Sequence, residues 1–116
     1  MIVDNLIDIL EQFDYPVDRQ GSYAGREYPD TFITFWNSDS NDHAHYDNSE
    51  YGISWIYNVY VYSVDPEITF TLLEQIRTEL KNNNWIVPGK GFDVVTDEPT
   101  HTGRGITIYY LEIESE

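Results

Sequence analysis

A pair of histidines in an acidic, polar stretch is the feature of the sequence that most resembles a metal site. Three aspartates flank His43 and His45: Asp39, Asp42 and Asp47. In an extended chain both imidazoles point to one side, and imidazole with carboxylate is a ligand set for zinc or iron. No motif supplies a third ligand, although His101 is a distant candidate. We expect an exposed polar loop with no metal and no cofactor, and keep a metal-dependent enzyme as an alternative.

Lys90 and Arg104 each lie between two glycines. The segment around Lys90 resembles a phosphate-binding loop only superficially. A Walker loop needs an earlier glycine, where this chain has Asn84, and a Ser or Thr after Lys90, where it has Gly91. We therefore predict a tight hairpin bend there. Arg104, also between glycines, is a candidate partner contact, with simple solvent exposure as the alternative. No serine-nucleophile elbow or zinc-protease motif occurs, so we expect no catalysis.

Composition narrows the possible partners. The 116 residues carry 21 acidic and 6 basic side chains, a net charge of −15, and no cysteine. The length fits one domain over residues 1–116. Such a charge repels phosphate backbones and anionic lipid, so we expect neither ordinary DNA binding nor a membrane partner. The N-terminus lacks the pattern of a signal peptide. A basic protein partner, a cation ligand, a surface that avoids nucleic acid, or plain solubility remains.

Apolar periodicity predicts two helices and five strands. The helices are predicted at residues 2–13 and, capped by Asp65 and Pro66, from there to the asparagines at 82–84. The predicted strands are a weak edge strand at 15–23, then 31–36, 53–63, a strand at 85–95 broken at 88–91, and 105–113. Residues 37–52 are predicted to be a long polar loop. This order predicts an α+β fold, a mostly antiparallel sheet with two helices packed on one face.

Aromatic content points to an interface. Ten tyrosines, three tryptophans and five phenylalanines exceed what a small core holds. Tyrosine is common in protein–protein interfaces because it is large and amphipathic with few rotors. The predicted strand at 53–63 is apolar or aromatic on both faces. With helices on one side only, its second face would pack against another subunit. The alternative is a monomer with tyrosine hydroxyls at its rim.

Two stretches carry a resemblance to a known family. Tyr-Val-Tyr-Ser-Val-Asp-Pro-Glu at 60–67 leads into the second helix, and Gly-Lys-Gly-Phe-Asp-Val-Val-Thr-Asp-Glu-Pro-Thr-His-Thr-Gly-Arg-Gly-Ile spans 89–106. With the element order, they resemble tail terminator or tail-to-head joining proteins of long-tailed phages and prophages of Gram-positive bacteria. The resemblance implies a non-enzymatic virion protein, made in the host cytoplasm, at the head–tail junction. It also implies a ring, expected to be a hexamer, that contacts the tail tube protein and the head connector while DNA passes through unbound.

An acidic ring lumen would repel DNA, and ring subunits need two different contact faces, so the charge and the sheet agree with that expectation. The expected interface residues lie in the polar loop, on the tyrosine-rich strand and at the second glycine motif: Asp39, Asp42, His43, His45, Tyr46, Asp47, Tyr57, Tyr60, Tyr62 and Arg104. The main alternative is an acidic inhibitor that mimics nucleic acid and blocks a basic protein.

Overall fold

The computed structural model describes residues 2–19, 29–42, 51–96 and 99–114. It contains two helices and five strands in the predicted order. These are α1 (Ile2–Glu11), β1 (Val17–Arg19), β2 (Thr31–Asp42), β3 (Tyr51–Ser63), α2 (Pro66–Asn82), β4 (Phe92–Val94) and β5 (Thr102–Glu114). His43, His45, Tyr46 and Asp47 lie outside the described residues.

The strands form one sheet in the order β1-β2-β3-β5-β4. Only β1 and β2 run parallel, while β2–β3, β3–β5 and β4–β5 are antiparallel. The long strands β2, β3 and β5 make up its centre, and the three-residue strands β1 and β4 lie at its edges. The predicted α+β class with a mostly antiparallel sheet is confirmed.

The second helix begins and ends where its sequence signals predict. The Asp65 side chain accepts a hydrogen bond from the Glu67 N–H at 3.0 Å, which satisfies one of the donors left over in the first turn. Pro66 is the first helical residue, where a missing N–H costs nothing. Asn84 follows the helix with φ of 74°, in the left-handed region that asparagine tolerates.

Both helices cover the same face of the sheet. The core combines Leu6, Ile9 and Leu10 of α1 with the apolar side of α2 and alternate residues of the central strands. The strand residues of this core are Ile33, Phe35, Tyr57, Val59, Val61, Ile106 and Ile108. Trp85 and Val87, after α2, complete it and are also buried. The alternation places the residues between them on the opposite face of the sheet.

The prediction of a long polar loop at 37–52 is wrong at both ends. β2 continues through Asn37 to Asp42, so Asp39 and Asp42 are strand residues, and β3 begins at Tyr51. A β-bulge between Asn37 and Asp39 shifts the register against β3. Asparagine, serine and aspartate are poor strand formers, but pairing with the strongly β-forming partner strand overrides that preference.

The strand predicted at 85–95 is shorter than expected. Ile86 forms an isolated bridge to Tyr109, and the regular strand is β4 alone. Between them the chain bends through residues 88–91, where Gly91 has φ of 113°. The predicted antiparallel pairing of this segment with the last strand is confirmed. The break in the strand follows from Pro88, which has no N–H to donate to a sheet ladder.

Candidate protein-binding surface

The sheet face away from the helices is covered at one end. Phe32 and Tyr62 stack with ring centroids 5.1 Å apart, and both are buried. His101 meets Phe32 edge-on at 5.7 Å. Thr34, on the same face, is also buried. This end of the face is therefore a second, smaller layer of packed side chains and is not available to a partner.

The other end of the same face exposes large apolar side chains. Register places Trp36, Tyr60 and Phe92 around Gly105, and Ile86 and Tyr109 opposite each other further along. We call this surface the open face. Its members are Trp36, Ile56, Tyr60, Ile86, Phe92, Tyr109 and Leu111. Four of them are about half exposed: Trp36 44%, Ile86 56%, Phe92 44% and Leu111 49%.

The size of the open face falls in the range of functional patches. A large side chain carries roughly 150–250 Å² of surface, so four half-exposed ones leave about 400 Å². The largest apolar patch on a typical monomer is about 300–600 Å² and often has a function. A standard interface takes about 800 Å² from each partner. The open face therefore supplies about half of the area that one partner contributes to a standard interface.

Two glycines set the shape of this surface. The Tyr60 ring lies over Gly105, and a β-carbon at Gly105 would come within 2.8 Å of Tyr60 Cε1 and 3.2 Å of Phe92 Cε1. Tyr62 lies over Gly103 in the same way, at 2.8 Å. The indole N–H of Trp36 donates to the Tyr60 hydroxyl at 3.2 Å. The missing β-carbons let both tyrosine rings lie close against the sheet.

The seven apolar and aromatic residues of the open face are uncharged, in a chain of net charge −15. Asn58 and Thr107, between its aromatic residues, bond to each other at 2.8 Å. The nearest acidic position in the register is Asp39, opposite Ile56 at the margin. This surface can exclude water without burying an ion, which would cost several kcal/mol.

The predicted interface tyrosines divide between the two sides of the sheet. Tyr60 belongs to the open face. Tyr57 is 4% exposed within the core, and Tyr62 is 7% exposed against Phe32. The prediction of Tyr57 and Tyr62 as contact residues is therefore wrong for this subunit surface. Both faces of the strand are apolar in sequence, so the pattern did not indicate which one the helices cover.

Most of the open face was not predicted from the sequence. Trp36, Ile86, Phe92 and Leu111 were not among the expected interface residues. The period-two alternation of strands gives the signal that would have found them. Each occupies a register position next to Tyr60 or Tyr109 on the same face. That inference needs the strand pairing, which the sequence alone did not give in enough detail.

Arg104 was expected to contact a partner or else to be exposed to solvent, and the second expectation is wrong. Its guanidinium donates to Asp93 at 2.8 Å and lies 4.3 Å from the centroid of the Phe70 ring. It also donates to the Lys90 carbonyl at 3.4 Å, so the two glycine motifs meet here. The Arg104 side chain is 14% exposed. This residue stabilises the bend before β4 and lies on the helix side of the sheet, away from the open face.

Arg77 holds the same bend from α2. Its Nε–H donates to the Gly89 carbonyl at 2.9 Å, and its Nη1 pairs with Glu74 at 3.2 Å. The predicted tight bend at residues 88–91 is thus fixed by two arginines.

Both ring nitrogens of His101 are paired with groups of the same chain. Its Nε2 lies 2.7 Å from the Pro29 carbonyl, and its Nδ1 lies 3.0 Å from the Thr100 hydroxyl. A carbonyl only accepts, so the Nε2–H donates to Pro29, while Nδ1 is paired with the Thr100 hydroxyl. Neither nitrogen is directed to a metal. Within the described ranges, no three His, Asp or Glu residues are grouped as metal ligands.

Comparison with known proteins does not assign the chain. No family model matches it, and no curated protein matches its sequence. Among the described residues, no helix is long and apolar enough to span a membrane.

Proposed function

We propose that this protein is a structural component of a long-tailed phage particle. In this proposal it caps the tail tube and joins it to the head connector, and acts by assembly with no catalysis. The observation that carries the proposal is the open face, an exposed apolar and aromatic surface with no charged member on a strongly acidic chain. Apolar patches of this size are often functional, and contact with another protein is the function proposed for this one.

The limited area of the open face fits a subunit that assembles on a template. About half of the area that each partner contributes to a standard interface is too little to hold a stable dimer in dilute solution. In a ring on the end of a tail tube, each subunit contacts two neighbours and the tube, and the contacts add. We propose such a ring, with six subunits as the resemblance implies.

The acidity has a separate role in this proposal. Acidic groups lining the ring would repel the DNA that passes through it, so that the genome is not retained. The uncharged open face would then meet protein, and the charged surfaces would meet water or DNA. The predicted contacts of His43, His45, Tyr46 and Asp47 remain part of the proposal, since these residues lie outside the described part of the chain.

Labelling of virions tests the location. Antibody-gold label confined to the junction of head and tail in the parent phage is the expected result. Absence of label from both intact and detergent-opened particles would contradict the virion role.

A matched pair of variants tests the open face. Leu111 and Val64 have similar exposed fractions, 49% and 44%, but Val64 lies in the turn between β3 and α2, outside the open face. We expect Leu111→Ser to reduce the joining of heads to tails, measured as infectious particles, and Val64→Ser to leave it unchanged. Equal effects of the two changes would remove the open face from the proposal.

The acidic inhibitor remains the second candidate because of the net charge of −15. A mimic of nucleic acid needs carboxylates on the surface that contacts its target, in place of phosphates. The uncharged open face could not serve as that surface. Competition with DNA for a basic nuclease would favour the inhibitor, and its failure would favour the structural role.

A further inference from the structure

A groove runs along the outer side of α2. Its volume is about 680 Å³, and all seven residues that line it belong to the described part of the chain. Phe70, Glu74 and Thr78 form one row of α2, and the parallel row beside it ends at Glu79. Residues four apart on a helix are neighbours, so each row is continuous. Phe13, which follows α1, completes the lining.

This groove lies on the opposite side of the molecule from the open face. The residues of α2 that pack on the sheet are buried, and none of them lines the groove: Thr69, Leu72, Leu73, Ile76 and Leu80. The lining residues of α2 fall on the remaining side of the helix, which faces solvent. The groove is therefore separate from the surface on which the virion proposal depends.

Phenylalanine rings supply one part of the chemistry of the groove. Phe70 is 56% exposed, and Phe13 packs partly against the core. The Arg104 guanidinium lies 4.3 Å from the centroid of the Phe70 ring, and Asp93 balances its charge at 2.8 Å. A ring has two faces and this contact takes one, so the exposed fraction belongs to the other face and to the ring edges. An exposed ring face attracts cations because its quadrupole is negative there.

Two glutamates supply the other part. The Glu74 side chain pairs with Arg77 at 3.2 Å and is 53% exposed. The Glu79 carboxylate accepts a bond from the Asn83 side-chain amide at 3.3 Å, and no described basic residue forms an ion pair with it. A carboxylate has two oxygens and about four positions that accept hydrogen bonds, so both glutamates can accept from a further donor. None of the seven lining residues is basic.

We infer that this groove binds a segment of a partner protein through a lysine or arginine side chain. Aromatic rings beside carboxylates suit such a side chain, because its apolar stem packs on the rings while its charged head pairs with an acid. A small molecule fits less well. Small-ligand sites bury about 70–90% of the ligand surface, whereas this groove is lined by one helix and Phe13 and is open to solvent on its outer side.

Charge complementarity favours a different protein over a second copy of this chain. With 21 acidic and 6 basic residues the chain carries a net charge of −15, and two such copies repel each other. Arg77 and Arg104 are already paired with Glu74 and Asp93. A partner with a surplus of basic residues would be attracted instead. The inference goes beyond the virion proposal and does not rest on it, because it concerns another surface.

An NMR titration of the full-length protein tests the chemistry of the occupant. The probe is a tetralysine peptide with blocked ends, and its control is the same peptide with every lysine acetylated, which removes the charges. We expect tetralysine to shift the amide signals of α2 between Phe70 and Glu79, whereas the acetylated peptide does not. Equal binding of the two peptides would overturn the inference. So would signal shifts at acidic residues elsewhere with none along this stretch of α2.

A pair of charge variants separates the groove from the general acidity of the chain. Glu79→Gln and Asp4→Asn each remove one negative charge, but Asp4 is exposed in the first turn of α1 and does not line the groove. We expect Glu79→Gln to weaken tetralysine binding by about two- to fivefold, the effect of one exposed ion pair, and Asp4→Asn to leave it unchanged. Equal weakening would reduce the binding to general attraction between opposite charges and overturn the inference.

A pair of aromatic variants tests the rings, with thermal unfolding as the check that each variant is folded. Phe70→Leu removes a ring from the groove, and Phe92→Leu removes one of similar exposure, 44% against 56%, from the open face. We expect Phe70→Leu to weaken tetralysine binding by about two- to fivefold, the effect of one exposed cation–π contact, and Phe92→Leu to leave it unchanged. Equal affinities of the two variants would contradict the inference.

Sedimentation of the chain alone tests a second copy as the occupant. We expect Phe70→Leu to leave the oligomeric state unchanged. Self-association that this variant abolishes would assign the groove to a second copy and overturn the inference. Because these assays use no phage particles and no open-face contact, their failure would be distinguishable from failure of the virion proposal.

Discussion

Replacing Gly105 by alanine tests whether the Tyr60 ring lies over the sheet as described. The added methyl group would overlap Tyr60 Cδ1, with Cε1 at 2.8 Å and Phe92 Cε1 at 3.2 Å. Tyr60 must swing outward, and its hydroxyl then loses the bond from the Trp36 indole. Overpacking costs about 1–3 kcal/mol in a tight core. Tyr60 is partly exposed and can move, so we expect about 1.5 kcal/mol.

Gly89→Ala is the matched control for this change. No atom lies within 4 Å of a β-carbon at Gly89. Both alanines restrict the unfolded chain equally, so comparing the two variants cancels that term. We expect Gly105→Ala to unfold at a temperature about 5 °C below Gly89→Ala, by calorimetry or tryptophan fluorescence. Equal melting temperatures would refute the placement of the ring.

A double-mutant cycle identifies the cause of the loss. In a Tyr60→Ala background the ring is gone, and Gly105→Ala should then cost under about 0.5 kcal/mol. The same cost in both backgrounds would show that the backbone at Gly105, and not the tyrosine ring, resists the methyl group. The cycle thus separates steric contact on the open face from strain in β5.

Three further changes test the core and the caps, each by urea unfolding. Leu80 is fully buried, so Leu80→Ala should cost about 2–5 kcal/mol; a cost below 1 would contradict the packing of α2. Asp65→Ala loses the bond to Glu67 N–H and should cost about 1 kcal/mol, while Asp65→Asn keeps a cap and should cost a few tenths; equal losses would exclude capping. Arg104→Gln should cost about 1 kcal/mol, mostly from Phe70, because Asp93 is 87% exposed; a similar loss on Asp93→Asn would reverse that assignment.

The helices and the order of helices and strands along the chain were predictable because their signals are local. α2 carries its cap at Asp65, its proline at the first position and its asparagine at the end. The apolar spacing of α1 and α2 indicates which side of each helix is buried. The core strand at 53–63 is a continuous run of β-branched and aromatic residues, a pattern that needs no partner to be recognised.

The extension of β2 and the choice of sheet face depend on distant residues. Asn37 to Asp42 is strand because β3 pairs with it, and nothing within that segment favours a strand. Tyr57 and Tyr60 are similar in local sequence, yet one lies in the core and the other on the open face. Which side the helices cover is decided by how α1 and α2 pack across the sheet, and no single strand contains that information.

The small area of the open face bears on how a partner can bind. Taken alone, the open face offers about half of the 800 Å² that a stable interface takes from one partner. In the proposed ring, each subunit would bury this face while it also contacts its neighbours and the tube. The weakness of the open face by itself would then be an advantage, because such a subunit would assemble only where several contacts add.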